Sequence, residues 1–280
     1  KIEKYLEEMG LSECNPAVEP IHKDWLKRIH SEQQAGMQAS QEEKEAYMQQ
    51  MGELQWIAQT THPTLATGVS IYSSLGKHVV PALLGALKHM FRYLKGAKRR
   101  CLTKKAGVNT GLQVSSDADW AGLYKVIGEV RSRSGSIDVF DSMPVAWKSS
   151  YQQCKGTNYK EAENEEDQEA LIATSSAEAE LYAAHDTMKL AIHQFNVADE
   201  IGIEVSKPIW VAVDAAAALG YINSTGTASR MKHLDLRDQW IQQMRTKDIV
   251  DYFKVEGVNN LADFFTKIHH GADFKTFQDR

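Results

Sequence analysis

The sequence has 280 residues, 42% hydrophobic and 25% charged, which is enough to bury a substantial core in one large domain or two small ones. Its net charge of −5 excludes a chain that is basic throughout, but it leaves room for local basic segments. Three cysteines without a CxxC pair support neither a zinc knuckle nor a disulfide framework. No apolar stretch approaches the roughly 20 residues of a membrane span, and the charged opening KIEKYLEE is unlike a signal peptide. We therefore expect an intracellular protein, cytoplasmic or nuclear, without a membrane partner.

Helical periodicity characterises the first part of the chain. Apolar residues recur at helical spacing in 47–59 and in 80–94, and the segment 66–75 continues the pattern. We predict a small helical subdomain over residues 1–105. Residues 1–45 are polar and weakly patterned, so we expect them to be poorly ordered.

Charge is unevenly distributed. Residues 77–105 contain many basic side chains and no Asp or Glu, whereas 161–169 reads EAENEEDQE. An uncompensated basic stretch is typical of contact with phosphate groups, although a solvated helix face is an equally ordinary interpretation. The acidic insert, 154–169, is more simply an exposed loop. The residues predicted to bind nucleic acid are Lys88, Arg92, Lys95, Lys98, Arg99, Arg100, Lys104 and Lys105.

Strand patterns follow Gly107. Short runs at 112–116, 135–140 and 145–147 predict an antiparallel meander, with Trp120 and Trp147 as core aromatics. Ser175 and Glu178 form a capping-box pattern at the start of the next element. The later elements are a helix at 176–201, a strand at 208–213, helices at 215–222 and 234–245, a strand at 250–255 and a helix at 260–268. We predict an α/β domain over residues 106–270 and a tail over 271–280.

Four acidic residues stand where an α/β sheet gathers carboxylates. Asp117 and Asp214 end strands, and Glu180 lies in the first turns of a helix that crosses the same edge. Asp263, in the last predicted helix, can join them. Hard divalent cations prefer such oxygen ligands, and two ions roughly 4 Å apart can promote phosphodiester hydrolysis. The nearest alternatives to these residues are Asp119, Glu178 and Asp235.

Several motifs occur in an order that resembles one known family. These are SDADWAG (116–122), RSRSGSI (131–137), VAWKSSYQQ (145–153), TSSAEAELYAA (174–184), VAVD (211–214), SRMKHLDLRDQWI (229–241) and NNLADFFTKI (259–268). Together they resemble the ribonuclease H domain of copia-type retrotransposon Pol polyproteins. Upstream, the stretch from 47 to 75 and ALKHMFRYLKGA resemble the segment that joins the reverse transcriptase to that domain. The resemblance extends from about residue 47 to residue 268.

The resemblance implies an α/β ribonuclease H-like fold: a mixed five-stranded sheet, with three antiparallel strands and then parallel strands, flanked by helices. It also implies endonucleolytic hydrolysis of the RNA strand of an RNA·DNA hybrid with two Mg²⁺ ions, for which Mn²⁺ can substitute. Residues 1–105 would be the reverse transcriptase connection segment, and an upstream reverse transcriptase domain in the parent polyprotein would be a partner. The implied catalytic and metal-binding residues are Asp117, Glu180, Asp214 and Asp263.

Two features depart from the family pattern. Asp214 is followed by AAAALGYI, where the family usually carries a polar residue, and the acidic insert lies where the family is short. A polar neighbour orients a metal-binding carboxylate, so its loss weakens the site. These departures favour an alternative function: a catalytically silent, domesticated ribonuclease H-fold module that serves as a structural or interaction subunit of a larger assembly.

Overall fold

The structure is a computed structural model, and it describes residues 1–152, 173, 175–224 and 236–278. The chain divides into two compact units. The first comprises Lys1–Thr103, Lys125–Gly128 and Lys267–Arg280, and the second comprises Lys104–Tyr124 and Glu129–Thr266. None of the helices in these described ranges is both long and apolar enough to cross a bilayer.

The first unit is helical. Its elements begin with α1 (Ile2–Glu8), α2 (Lys23–Gln34), α3 (Gln41–Thr60), α4 (Ala66–Ser74) and α5 (Pro81–Ala97). Ser40 and Glu43 cap α3 reciprocally, and Pro81 starts α5 at the position where a missing N–H costs nothing. The predicted helices 47–59 and 80–94 are therefore present, and their apolar stripes are buried.

Residues 1–45 contain α1 and α2, although their weak sequence pattern had predicted poor order. Leu26 and Ile29 of α2 are fully buried, and α2 packs against α5. Because α5 is apolar on most of its surface, a narrow stripe on α2 is enough to form the contact.

The second unit is built on a mixed five-stranded sheet. Its elements are β1 (Leu112–Asp119), β2 (Arg133–Phe140), β3 (Met143–Tyr151), α7 (Ser176–Glu200), β4 (Ile209–Val213), α8 (Ala216–Asn223), α9 (Leu236–Thr246) and β5 (Val250–Lys254). Between β1 and β2 lies the short helix α6 (Tyr124–Ile127), most of which belongs to the first unit. The strand order is β3-β2-β1-β4-β5, with β1, β2 and β3 antiparallel and β4 and β5 parallel to β1. The structure confirms the predicted α/β class and the mixed sheet flanked by helices.

The core of the second unit joins α7 to the central strands. Val114 of β1, Val211 of β4 and Leu181 of α7 belong to one buried apolar cluster, which α8, α9 and β5 complete. Ser175 caps α7 as predicted, since its hydroxyl accepts a hydrogen bond from the Glu178 backbone N–H at 3.2 Å. The helix that carries Glu180 is thus fixed at its start and along its buried face.

One element and one side chain differ from the sequence prediction. The helix expected over 260–268 is a short 3₁₀ segment, Leu261–Phe265, because the Asn260 side chain bonds the backbone N–H of Ala262 and favours a tight turn. Trp120, expected in the core, is 49% exposed, and its indole N–H donates to the carbonyl of Ala173 at 2.8 Å. That bond satisfies the polar end of the indole while leaving its ring accessible.

Helix α10 (Gly271–Gln278) occupies the segment predicted as a tail, and it belongs to the first unit. The Glu19 carboxylate lies 2.9 Å from His270 Nδ1 and accepts a hydrogen bond from the Gly271 backbone N–H, also at 2.9 Å. Phe274 is buried edge-on against the Tyr93 ring, with the ring centroids 5.7 Å apart. These contacts anchor the start and the middle of the helix.

Asp138 is a fully buried carboxyl in β2, beside a register shift between β2 and β3. Neither of its oxygens has a hydrogen-bond partner in the described ranges. Burial raises its pKa to about 8. Nearby Asp141 behaves oppositely: hydrogen bonds from Lys104 and from the Gly111 backbone lower its pKa.

We expect Asp138→Asn to stabilise the protein increasingly as pH rises from about 5.5 to 8. In this window Asp138 is protonated in the folded state and ionised in the unfolded state. The free energy of unfolding of the wild type therefore falls by about 1.4 kcal/mol per pH unit. The difference in urea-unfolding free energy between variant and wild type should therefore grow by roughly 3 kcal/mol across the window. Asp141→Asn is the control, because it removes a stabilising charge that is ionised in both states throughout, so its loss should not vary with pH. A constant Asp138→Asn difference would contradict the neutral buried acid.

Candidate metal centre

Three of the four predicted carboxylates converge at one edge of the sheet. Asp117, Glu180 and Asp214 each offer an oxygen atom, and these atoms lie within 4.8 Å of one another. Asp117 and Glu180 are buried, whereas Asp214 is half-buried. The group therefore combines close negative charges with partial access for solvent.

Strand register explains why the two aspartates meet. Val114 of β1 pairs in parallel with Val211 of β4, and each aspartate lies three residues further along its own chain segment. Since adjacent parallel strands run about 4.8 Å apart, Asp117 and Asp214 come level at the same end of the sheet. Glu180 reaches them from the second turn of α7, which packs on β1.

The Asp117 carboxylate is held by two neighbouring side chains. Asn260 Nδ2 lies 3.4 Å from Asp117 Oδ1 and also donates to the carbonyl of Ser116 at 2.9 Å. The Thr266 hydroxyl donates to Asp117 Oδ2. Both residues are buried, and neither was singled out by the sequence reasoning. The only signal available was their position on either side of Asp263 in the NNLADFFTKI motif.

Asp214 has a different environment. In the described ranges its carboxylate makes no hydrogen bond or ion pair, and the residue that follows it, Ala215, gives α8 no side-chain cap. This agrees with the expectation that the AAAALGYI segment lacks a polar group beside Asp214. The two aspartates of the cluster are therefore unequally supported.

The fourth predicted carboxylate, Asp263, lies half-buried in the Leu261–Phe265 segment and is not a member of the three-residue cluster. Its backbone carbonyl lies 3.1 Å from the Thr266 hydroxyl. The chain segment that carries Asp263 thus reaches the site through Asn260 and Thr266. A ligand role for the Asp263 side chain stays a prediction.

The alternatives to these residues are used differently or lie outside the described ranges. Asp119 shares the strand of Asp117, but its carboxylate sits against the backbone of Gly122, where a Cβ atom would collide with it. Glu178 accepts a hydrogen bond from the Tyr182 hydroxyl at 2.8 Å. Asp235 lies outside the described residues, as does the acidic insert.

The predicted nucleic-acid-binding cations differ in the contacts that they make. Arg92, Lys95, Lys98 and Lys104 bond groups within the chain: Asn15 O, Cys14 O, Glu3 and Asp141, at 2.7–2.9 Å. Lys88, Arg99 and Lys105 are exposed, and their side chains make no hydrogen bond or ion pair in the described ranges. Arg100 is also exposed and makes contacts of its own. The structure thus separates cations that stabilise the fold from cations that are available to a partner.

A carboxylate cluster of this kind suits a divalent cation. Unit charges of like sign about 5 Å apart repel by roughly 3 kcal/mol at an effective dielectric constant near 20, and a cation between them removes that cost. Carboxylate oxygens are also the ligands that hard divalent ions prefer. Fold and site together define an α/β protein with an acidic, cation-suited centre at the carboxyl ends of parallel strands.

Comparison with known proteins finds similar sequences among transposon Pol polyproteins. The chain is 27% identical over 271 residues to the retrovirus-related Pol polyprotein from transposon TNT 1-94 of Nicotiana tabacum, covering 95% of this chain and 18% of that protein. It is 26% identical over 230 residues to the Pol polyprotein from transposon RE1 of Arabidopsis thaliana, covering 82% of this chain and 14% of that protein. The chain is therefore similar to the Pol polyproteins of copia-type transposons, and it spans less than a fifth of the length of these two relatives.

A shorter relative covers part of the chain. Secreted RxLR effector protein 161 of Plasmopara viticola is 30% identical over 132 residues, which make up 46% of this chain and 91% of that protein. No family model matches the sequence.

We expect Asp214→Asn to raise stability in the absence of a divalent cation and to reduce the further stabilisation that the cation gives. In EDTA the variant should unfold at higher urea than the wild type, because one repelling charge is gone. With Mn²⁺ or Mg²⁺ at ten times its dissociation constant, the wild type should gain about 1.4 kcal/mol and the variant much less. Asp119→Asn, outside the cluster, is the matched control and should gain as the wild type does. Equal cation effects on all three proteins would argue against the site.

Proposed function

We propose that this chain is the ribonuclease H part of a transposon Pol polyprotein and hydrolyses the RNA strand of an RNA·DNA hybrid endonucleolytically. The observation that carries the proposal is the convergence of Asp117, Glu180 and Asp214. The sheet order, with three antiparallel strands followed by two parallel ones, supports a ribonuclease H-like fold. Similarity to transposon Pol polyproteins supports the same assignment.

The three clustered carboxylates, with Asp263 as a proposed fourth, would hold two Mg²⁺ ions. When bound, such ions activate a water molecule and stabilise the leaving 3′-oxygen. The chain's own residues set the geometry: Asp117 is anchored by Asn260 and Thr266, and Glu180 is fixed by the packing of α7. Half-buried Asp214 leaves the centre accessible to a phosphodiester from one side.

Substrate contact is proposed for exposed groups in each unit. The Trp120 ring follows β1, the strand that carries Asp117, and its fixed indole N–H leaves the ring surface available for stacking. In the first unit, Arg99 lines an open depression of ≈450 Å³ with Lys1, Trp56 and Lys98. Residues 1–105 are proposed as a reverse transcriptase connection segment, with a reverse transcriptase domain upstream in the parent polyprotein.

The decisive experiment is cleavage of end-labelled RNA annealed to DNA, in Mg²⁺ and in EDTA. We expect cleavage by the wild type in Mg²⁺ only. Asp117→Asn should lower the rate by more than about 100-fold, the upper end for residues that only orient metal ligands. Asp119→Asn, on the same strand but outside the cluster, should stay close to wild type. Full activity of Asp117→Asn would sink the site assignment.

A second candidate is a catalytically silent module of the same fold, serving as a structural or interaction subunit. The observation that favours it is the unsupported Asp214, since an unanchored carboxylate binds a cation more weakly. The short relative, which matches only part of this chain, is named as a secreted effector and not as a polyprotein. A wild type that cuts no hybrid, together with an Ala215→Asn variant that does, would favour this candidate.

Arg99→Ala should weaken hybrid binding and reduce its salt dependence. One phosphate contact contributes close to one unit to the slope of log affinity against log salt concentration, so the slope should fall by about that amount. Lys95→Ala is the control, because Lys95 bonds Cys14 O; it should lower stability but leave the slope unchanged. Fluorescence anisotropy with the Asp117→Asn protein as background measures binding without cleavage. An unchanged slope for Arg99→Ala would remove Arg99 from the interface.

A further inference from the structure

We propose that Asn260 and Thr266 are positioning residues, which hold the Asp117 carboxylate in the orientation that binds a divalent cation. The inference rests on the proposed function and deepens it. Neither side chain belongs to the carboxylate cluster, yet both contact its most buried aspartate. They lie on either side of the 3₁₀ segment Leu261–Phe265, so the two ends of one turn contact Asp117.

Asn260 ties the turn to β1. It is fully buried, its Oδ1 accepts from the backbone N–H of Ala262 at 3.1 Å, and its Nδ2 donates to Ser116 O at 2.9 Å. The same Nδ2 lies 3.4 Å from Asp117 Oδ1, at the long end of a hydrogen bond. Because both ends of the amide are engaged, Asn260 cannot rotate freely, and it presents a fixed donor to the carboxylate.

Thr266 makes the stronger contact. Its hydroxyl carries one proton and has two acceptors within reach: Asp117 Oδ2 and, at 3.1 Å, the carbonyl of Asp263. A hydrogen bond to a carboxylate is roughly twice as strong as one between neutral groups, so the proton goes to Asp117. Asp117 thus has a donor on each oxygen, which fixes the plane of the carboxylate.

Gly135 leaves the space that allows Asn260 and Thr266 to contact Asp117. It pairs with Asp117 across β1 and β2. A Cβ atom there would lie 2.7 Å from Thr266 Cγ2, 2.8 Å from the carbonyl of Ala262 and 2.9 Å from Phe265 Cβ. Any larger side chain would therefore push the turn away from Asp117. The glycine of the RSRSGSI motif thus has a steric role at the site.

Asp117 and Asp214 differ in how firmly the fold holds their carboxylates. Asp214 accepts no hydrogen bond in the described ranges, so it can rotate toward an ion, whereas Asp117 is fixed before any ion arrives. Pre-orienting one ligand reduces the ordering cost of binding, and residues that orient metal ligands typically contribute 10–100-fold to metal affinity. The hydrogen bonds from Asn260 and Thr266 to Asp117 should therefore affect metal affinity directly.

The test measures Mn²⁺ binding to the full chain by electron paramagnetic resonance, independently of cleavage. Thr266→Val keeps the shape of the side chain but removes the donor, and we expect binding about 10–100-fold weaker than wild type. Thr266→Ser keeps the hydroxyl and should bind within a few-fold of wild type. If Thr266→Val does not fold in EDTA, Thr266→Ala, which is smaller and lacks the same donor, takes its place.

Thr187→Val is the matched control. Thr187 is as buried as Thr266, and its hydroxyl donates at 3.1 Å to that of Ser116, the neighbour of Asp117, rather than to a carboxylate. It should lower stability without changing Mn²⁺ affinity. Equal affinity of wild type and Thr266→Val, or equal losses in Thr266→Val and Thr187→Val, would overturn the role of Thr266 alone. A wild type that binds no Mn²⁺ would overturn the metal centre and this role together, whereas one that binds Mn²⁺ but cuts no hybrid would overturn only the nuclease.

Discussion

The parallel pairing of β1 with β4 is the interaction on which the second unit depends. It joins the antiparallel meander to the parallel half of the sheet, and its register brings Asp117 and Asp214 level. Val114 and Val211, the paired residues, are also part of the core beneath α7. The pairing that joins the two halves of the sheet therefore also aligns Asp117 with Asp214. A shift of one residue in this register would bury the wrong face of β4 and separate the two aspartates.

The carboxylates differ in how firmly the fold holds them. Asp117 is buried and has donors on both oxygens, Glu180 is buried on a packed helix, and Asp214 stands at a strand end beside alanines. Asp117 and Glu180 are therefore held rigidly, whereas Asp214 can change its orientation. Asp214 is also the carboxylate that is partly exposed to solvent, where an incoming group would have to be accommodated. The same looseness is what the silent-module alternative would exploit.

Sequence patterns predicted most of the fold, because periodicity reports which face of an element is buried. The stripes of α3 and α5 and the Ser175 cap of α7 follow from local chemistry and are present. The clustering of Asp117, Glu180 and Asp214 was also predictable, since strand ends and helix starts meet at a sheet edge.

What sequence reasoning missed depends on contacts between distant residues. Asn260 and Thr266 look like ordinary turn residues until the fold places them on Asp117, more than 140 residues away in the chain. Trp120 looks apolar, yet one hydrogen bond from its indole holds it at the surface. Asp138 lies in a strand where an acid would ordinarily face solvent, yet the fold buries it completely. No local pattern encodes these outcomes.

The position of α10 has a consequence for how the protein is made. This helix packs on Tyr93 and is anchored by Glu19, both in the first unit, but it follows the whole second unit in the chain. During synthesis on the ribosome, the first unit therefore emerges without one of its own helices. It must wait with that surface uncovered until the second unit has been translated, which takes on the order of ten seconds at typical elongation rates of about 5–20 residues per second. The order of translation and the order of folding are thus separated in this chain.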